Sequence, residues 1–173
     1  DAILNMSIQN LQANQSSIKA NFTDLSVLQN ICSGKACFRV FAGINGNDLV
    51  LVMERVLFEN NVAEVTILDV HGFSNGYTDF KSSQFRKNRG RAVQIHDGIS
   101  VELKIERALF SENKGGAVEV SNFTKEASVW LLSSNFTSNK VEFGLSRKRL
   151  GGVVSKDMDT NENSLNSKLR IIK

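Results

Sequence analysis

Two histidines are the only imidazoles in the 173 residues, and both sit beside carboxylates: Asp69 stands two places before His71, and Asp97 directly follows His96. A carboxylate next to a histidine fixes the ring's tautomer and steadies its charged form, which is the minimal arrangement for general acid–base chemistry. Asp69 and His96 fall at the same offset in adjacent copies of a repeat, so stacking the copies would bring these groups onto one edge. The next copy has Ser121 and Asn122 at those offsets. A solvated turn with an incidental ion pair is therefore the competing reading, and catalysis the weaker of the two.

Three further sets of side chains carry chemistry. Arg89, Arg91, Lys114, Lys140, Arg147, Lys148 and Arg149 all follow a repeated Asn, and stacking would align them into a basic edge able to hold a linear acidic or sulfated glycan. A charged turn that only keeps the edge soluble is the alternative. Trp130 falls on an outward offset beside Lys104, either as a sugar-stacking platform or covered by a neighbouring segment. Cys32 and Cys37 enclose a short Gly-containing loop that suits a local disulfide, with two free buried thiols as the other reading; zinc would need two more ligands. Five N-x-S/T sequons stand at Asn5, Asn14, Asn21, Asn122 and Asn135, and glycans are expected on all but Asn14, which falls at an inward offset. Residues 157–168 offer Asp157, Asp159, Asn161 and Asn163 at calcium-loop spacing, but Glu162 replaces the required glycine and Lys168 the bidentate acid. No metal or cofactor is expected.

What would position these groups is a repeat. Phe58 to Asn61 reads FENN, Phe85 to Asn88 FRKN, Phe110 to Asn113 FSEN and Phe136 to Asn139 FTSN, and the phenylalanines are spaced by 27, 25 and 26 residues. A near-constant period of this length belongs to a solenoid. Five residues before each Phe stand Met53, Phe80, Ile105 and Leu131, and seven before stand Leu51, Thr78, Leu103 and Val129, with Val52, Asp79, Lys104 and Trp130 between. That is the period-two alternation of a strand with one buried face. After each Asn, Val65, Ala92 and Ala117, then Leu68, Ile95 and Val120, are expected to open a second inward-facing strand. The phenylalanines would stack in the core and the asparagines form an amide ladder. Gly115 and Gly116 would make a tight turn, and the absence of proline suits strands that pair on both sides.

The expected fold is all-β, a right-handed single-stranded parallel β-helix over residues 1–156. Rungs are regular over 49–155 and degenerate over 1–48, where Ala20, Phe22, Val27 and Asn30 repeat the offsets and Leu4, Met6, Leu11 and Asn14 do so in a shorter unit. After Asn139, the run to Arg149 reads as a turn insertion before GGVV at 151–154, and 157–173 as an irregular polar tail.

The paired FxxN and GGA[ILV] motifs, complete in FSENKGGAV and partial in FRKNRGRAV and FTSN…GGVV, resemble the repeat of the chlamydial polymorphic outer membrane proteins, over about residues 49 to 155. That resemblance implies a surface-exposed β-helix used in adhesion and transfers no catalytic residue. It does not extend to a carboxy-terminal membrane barrel.

With 21 Lys and Arg against 18 Asp and Glu, the balance argues against a dedicated nucleic-acid binder and against wholesale disorder. No apolar run reaches the roughly 20 residues that span a bilayer. The first residues lack a signal peptide's pattern, and the chain reads as a piece of a longer polypeptide. The expected function is a non-enzymatic scaffold for adhesion or interaction, extracellular or on a cell surface, with an acidic glycan or a surface protein as partner. A polysaccharide lyase or hydrolase of the pectin-lyase-like β-helix type is the alternative, and a spacer between domains a third.

Overall fold

The computed structural model describes residues 17–42, 47–125 and 127–140, and the backbone of three further strands at 143–146, 152–156 and 169–172. Among the described residues every element is a strand and every strand pairing is parallel, and they form a β-solenoid of about four turns. Each coil has three faces. The first is built from β1 (Ser17–Thr23), β4 (Asp48–Glu54), the second halves of β6 (Val62–Lys81) and β8 (Arg89–Glu106), β11 (Ala127–Leu132) and β14 (Gly152–Lys156). Short strands make the second: β2 (Ser26–Leu28), β5 (Leu57–Glu59), β7 (Gln84–Arg86), β9 (Leu109–Ser111) and β12 (Asn135–Thr137). On the third lie β3 (Ala36–Phe41), the first halves of β6 and β8, β10 (Gly116–Phe123), β13 (Phe143–Ser146) and β15 (Leu169–Ile172).

Three columns of left-handed residues turn the corners. Asp24, Arg55, Ser82, Arg107 and Ser133 close the first face, Gln29, Asn60, Lys87, Glu112 and Ser138 the second, and Gly72, Asp97 and Asn122 the third. Only one of these positions is glycine. The polar side chains elsewhere tolerate the left-handed region at a cost that pairing on both neighbours offsets.

The expected inward residues of the first face are buried: Leu51, Met53, Thr78, Phe80, Leu103, Ile105, Val129 and Leu131. Phe58, Phe85, Phe110 and Phe136 stack with ring centroids 5.0, 4.9 and 5.0 Å apart. Each burial removes enough apolar surface to contribute about 2–3 kcal/mol. Around them Asn30, Asn61, Asn88, Asn113 and Asn139 form the ladder. Asn88 Nδ2 donates to Asn113 Oδ1 at 2.9 Å and Asn113 Nδ2 to Asn139 Oδ1 at 2.8 Å. The same oxygens accept the preceding asparagine's backbone N–H, and Asn88, Asn113 and Asn139 also donate to the carbonyls of Phe58, Phe85 and Phe110.

Four features depart from the expected pattern. Val65 is not an inward strand residue: it is 37% exposed, because two extra residues bulge between Val62 and Thr66 where the next coil runs directly from Arg89 to Arg91. Leu68 therefore pairs with Val93 rather than Ile95. GGVV does not resume the third face, since Gly152–Lys156 pairs with β11 on the first, while Phe143–Ser146 continues the third face from β10; the stretch read as an insertion supplies that strand. Leu169–Ile172 pairs with β13, so strand pairing reaches into the segment expected to be irregular. At the amino-terminal side Ala20, Phe22 and Val27 stand opposite Leu51, Met53 and Phe58, so the coil with the cysteine loop keeps the register. Leu4, Met6, Leu11 and Asn14 lie outside the described residues.

Candidate functional site

The bulge in β6 decides what the histidines can do. Because two residues are inserted, His71 stands opposite His96 and Asp69 opposite Gln94, so the expectation that Asp69 and His96 share one offset is corrected by two positions. The imidazoles stack face to face, 5.1 Å apart and 3° from parallel, and Phe41 stacks on the far side of His71 at 4.8 Å. Asp69 still reaches His96 diagonally, with Oδ1 2.8 Å from Nε2, while Asp97 Oδ2 lies 2.6 Å from Nδ1. Both ring nitrogens therefore face a carboxylate, and only an imidazolium can donate at both ends. Arg39 Nε completes the group by donating to Asp69 Oδ2 at 3.0 Å, and Asn122 Nδ2 donates to Asp97 Oδ1 at 3.1 Å.

The two rings respond to these surroundings in opposite ways. Hydrogen bonding to Asp69 raises the His96 pKa against the pull of burial, with Asp97 adding to the rise. Burial lowers that of His71, and Asp69 only partly offsets it. His71 Nε2 is 3.8 Å from Asp69 Oδ2, too far for a hydrogen bond, and is buried without a partner. For Asp69 burial acts upward, but the His96 hydrogen bond and the charges of His71, His96 and Arg39 outweigh it and hold the carboxyl below its ordinary value. Asp97 is likewise lowered, burial being outweighed by hydrogen bonds from His96 and Asn122. Chemically this is a closed ion cluster. His96 has no lone pair to offer a substrate while it bridges two carboxylates, and His71 is held between two rings.

The basic residues divide. Arg89, Lys114 and Lys140 each follow a ladder asparagine, and their backbone N–H groups donate to the carbonyls of Asn61, Asn88 and Asn113 at 2.8, 2.9 and 3.3 Å. That chain of bonds stacks the three in one column, with all three side chains exposed. Arg91 does not join them. It has entered the third face opposite Thr66 and Gly116, and its guanidinium pairs with Glu119 at 2.7 Å. Among the described residues none of Arg89, Lys114 and Lys140 stands in an ion pair, whereas neighbouring Arg86 pairs with Glu59 at 3.0 Å. Arg147, Lys148 and Arg149 lie outside the described residues.

Trp130 points outward from β11, 39% exposed, opposite Lys104, whose ammonium pairs with Glu106 at 2.7 Å. Of the sequon residues, Asn21 and Asn122 are exposed and Asn135 is half-buried, its Oδ1 enclosed without a partner; Asn5 and Asn14 lie outside the described residues. Cys32 and Cys37 are joined by a disulfide whose sulfur-bearing side chains sit in the core, and Ser33, Gly34 and Lys35 are exposed between them. Among the described residues no group of three or more His, Cys, Asp or Glu is arranged to hold a metal ion, and no helix is long and apolar enough to cross a membrane.

Arg39 and Phe41, which complete the histidine cluster, escape sequence reasoning because the first coil is 31 residues long and the bulge hides their register. A second polar column also goes unnoticed. Ser83 Oγ accepts the Val56 N–H and donates toward the Met53 or Lys81 carbonyl, and Ser134 repeats this with Ala108, Ile105 and Leu132. Its signal was available as a small residue two places before the repeated Phe in the last three copies. No known family model matches the chain, nor does any curated protein or solved structure.

Proposed function

We propose that the chain is a non-enzymatic β-solenoid scaffold, extracellular or on a cell surface, whose ladder corner binds a linear acidic glycan. The observation that carries this reading is the column of Arg89, Lys114 and Lys140, exposed, without ion pairs among the described residues, and held in line by successive backbone bonds. The coil repeat near the ladder, 4.9 and 5.0 Å between stacked rings, sets the cations at a regular interval along the axis. A polyanion lying parallel to the axis would meet one charge per coil, and a fixed column loses little side-chain freedom on meeting it. Arg147, Lys148 and Arg149 extend the basic character in sequence.

Three features support the compartment. A disulfide in a small loop belongs to an oxidising environment. Exposed sequons at Asn21 and Asn122 suit the same place, with Asn135 a poorer acceptor for its buried amide oxygen. The resemblance of FSENKGGAV to the chlamydial outer membrane protein repeat points to adhesion at a surface. Trp130, exposed on the first face, would add a second contact.

Neutralising Arg89, Lys114 and Lys140 together is expected to bring elution from a sulfated-polysaccharide column to lower salt, while neutralising Lys19 and Lys104 matters less. No retention of the wild-type chain at low ionic strength removes the ligand. Cleavage of a polysaccharide, lost on His96→Ala, would replace the scaffold by the lyase or hydrolase alternative.

A further inference from the structure

The histidine cluster bridges four successive coils. Arg39 comes from β3, Asp69 and His71 from β6, His96 and Asp97 from β8, and the neutral Ser121 and Asn122 from β10. Earlier on the same face Arg91 and Glu119 pair with each other at 2.7 Å. We infer that Phe41, His71 and His96 with Asp69, Asp97 and Arg39 form a proton-gated clamp across the third face, closed when His96 carries a proton and His71 does not.

The geometry gives each ring one favoured state. His96 must be charged to donate to Asp97 and Asp69, 2.6 and 2.8 Å away. His71 must be neutral, because its ring lies flat against that imidazolium and its buried Nε2 has no acceptor within hydrogen-bonding distance. A proton on His71 would place a second cation 5.1 Å from the first, beside Arg39. Loss of the proton from His96 would leave one carboxylate facing a lone pair.

The pH dependence follows from opposite shifts. His96, with its folded pKa raised, contributes stability fully present below the ordinary imidazole value of about 6.5 and lost as pH rises through the folded value. His71, with its folded pKa lowered, is protonated more readily in the unfolded chain, so stability falls as pH drops below about 6.5 toward its folded value. The two carboxylates, both lowered, lose their contribution only at more acid pH, below the ordinary value of about 3.9. Since these are the only two histidines and both cysteines are bonded, no other side chain ordinarily titrates between about pH 5 and 8.

The test is a series of denaturation midpoints between about pH 5 and 8.5 for the wild type, His71→Phe and His96→Gln, with histidine titration by NMR on the wild type. The wild-type midpoint should peak near the ordinary imidazole value and fall on both sides. His71→Phe should lose the acid-side fall and His96→Gln the alkaline-side fall, and NMR should place His96 above and His71 below the ordinary value. Midpoints with the same pH profile in all three proteins would overturn the clamp. Should either variant fail to fold, the NMR titration decides alone: two rings titrating together at the ordinary value refute it.

Discussion

At the residue scale the ladder concentrates the most interactions in single side chains. Asn113 accepts from the backbone and side-chain amides of Asn88 and donates to Phe85 O and Asn139 Oδ1, so Asn113→Ala strands groups on both sides in a site closed to water. Each stranded buried group costs about 1–3 kcal/mol, and the variant should lose about 3 kcal/mol in chemical denaturation. Asn75→Ala removes bonds to Asp48 and Ser100 that are all exposed, and should cost less than about 1 kcal/mol. Equal losses would take the ladder out of the account. The inward amide was legible because Phe and Asn recur at a fixed offset that no surface turn requires. The meeting of His96 with Asp69 and Asp97 was legible too, but the stacking of His71 on His96 was not: two inserted residues between Val62 and Thr66 leave no compositional trace, yet they move His71 into register with His96.

Strands and corners obey a simpler rule, large against small. Phe73 and Phe123 lie two coils apart with Gly98 between them in register, and their rings approach to 5.8 Å by filling the space that a side chain at Gly98 would take. A Cβ at Gly98 would stand 2.6 Å from Phe123 Cε1 and 2.7 Å from Phe73 Cε2. Gly98→Ala should therefore destabilise by about 1–3 kcal/mol through overpacking. Gly34→Ala, with nothing within 4 Å, should stay within about 0.5 kcal/mol. Thermal or denaturant unfolding of the two variants checks the contrast. First-face strands were readable from alternation alone, since Leu103, Lys104 and Ile105 announce in, out, in. On the third face Ala92, Ile95, Ala117 and Val120 are buried as their offsets predicted, but the strand after β10 was not readable, because GGVV looks like GGAV while the alternation in VEFGLS passes for a loop; the chain has only to reach the next face, and either segment has the length to do so. Gly115 was read as a turn residue, and its neighbours give a more specific reason: a Cβ there would meet Arg91 N at 2.3 Å, so it is the approach of one coil's backbone to the next that demands glycine.

For the whole molecule, the stacking that makes the core also decides what the surface can present. A solenoid repeats each outward position once per coil, so a single basic residue after the ladder asparagine becomes a line of charge when later coils keep it. Here the line runs through Arg89, Lys114 and Lys140 but begins at exposed Ile31 and half-buried Val62, so the edge is apolar at one end and basic at the other. The architecture was legible from period and alternation, and the column from the residues after each Asn. Its boundary at Arg91 was not, because only the fold shows that this side chain has turned onto the next face to meet Glu119. The most direct measurement is calorimetric titration of the chain with sulfated oligosaccharides of increasing length, in parallel with the Arg89, Lys114 and Lys140 triple neutralisation. A ligand lying along the axis should bind more tightly with each added sugar until it spans the three cations, then level off, with the gain weakened by salt and absent from a triple variant whose unfolding midpoint is unchanged. Binding that ignores oligosaccharide length and survives the triple neutralisation would contradict the account.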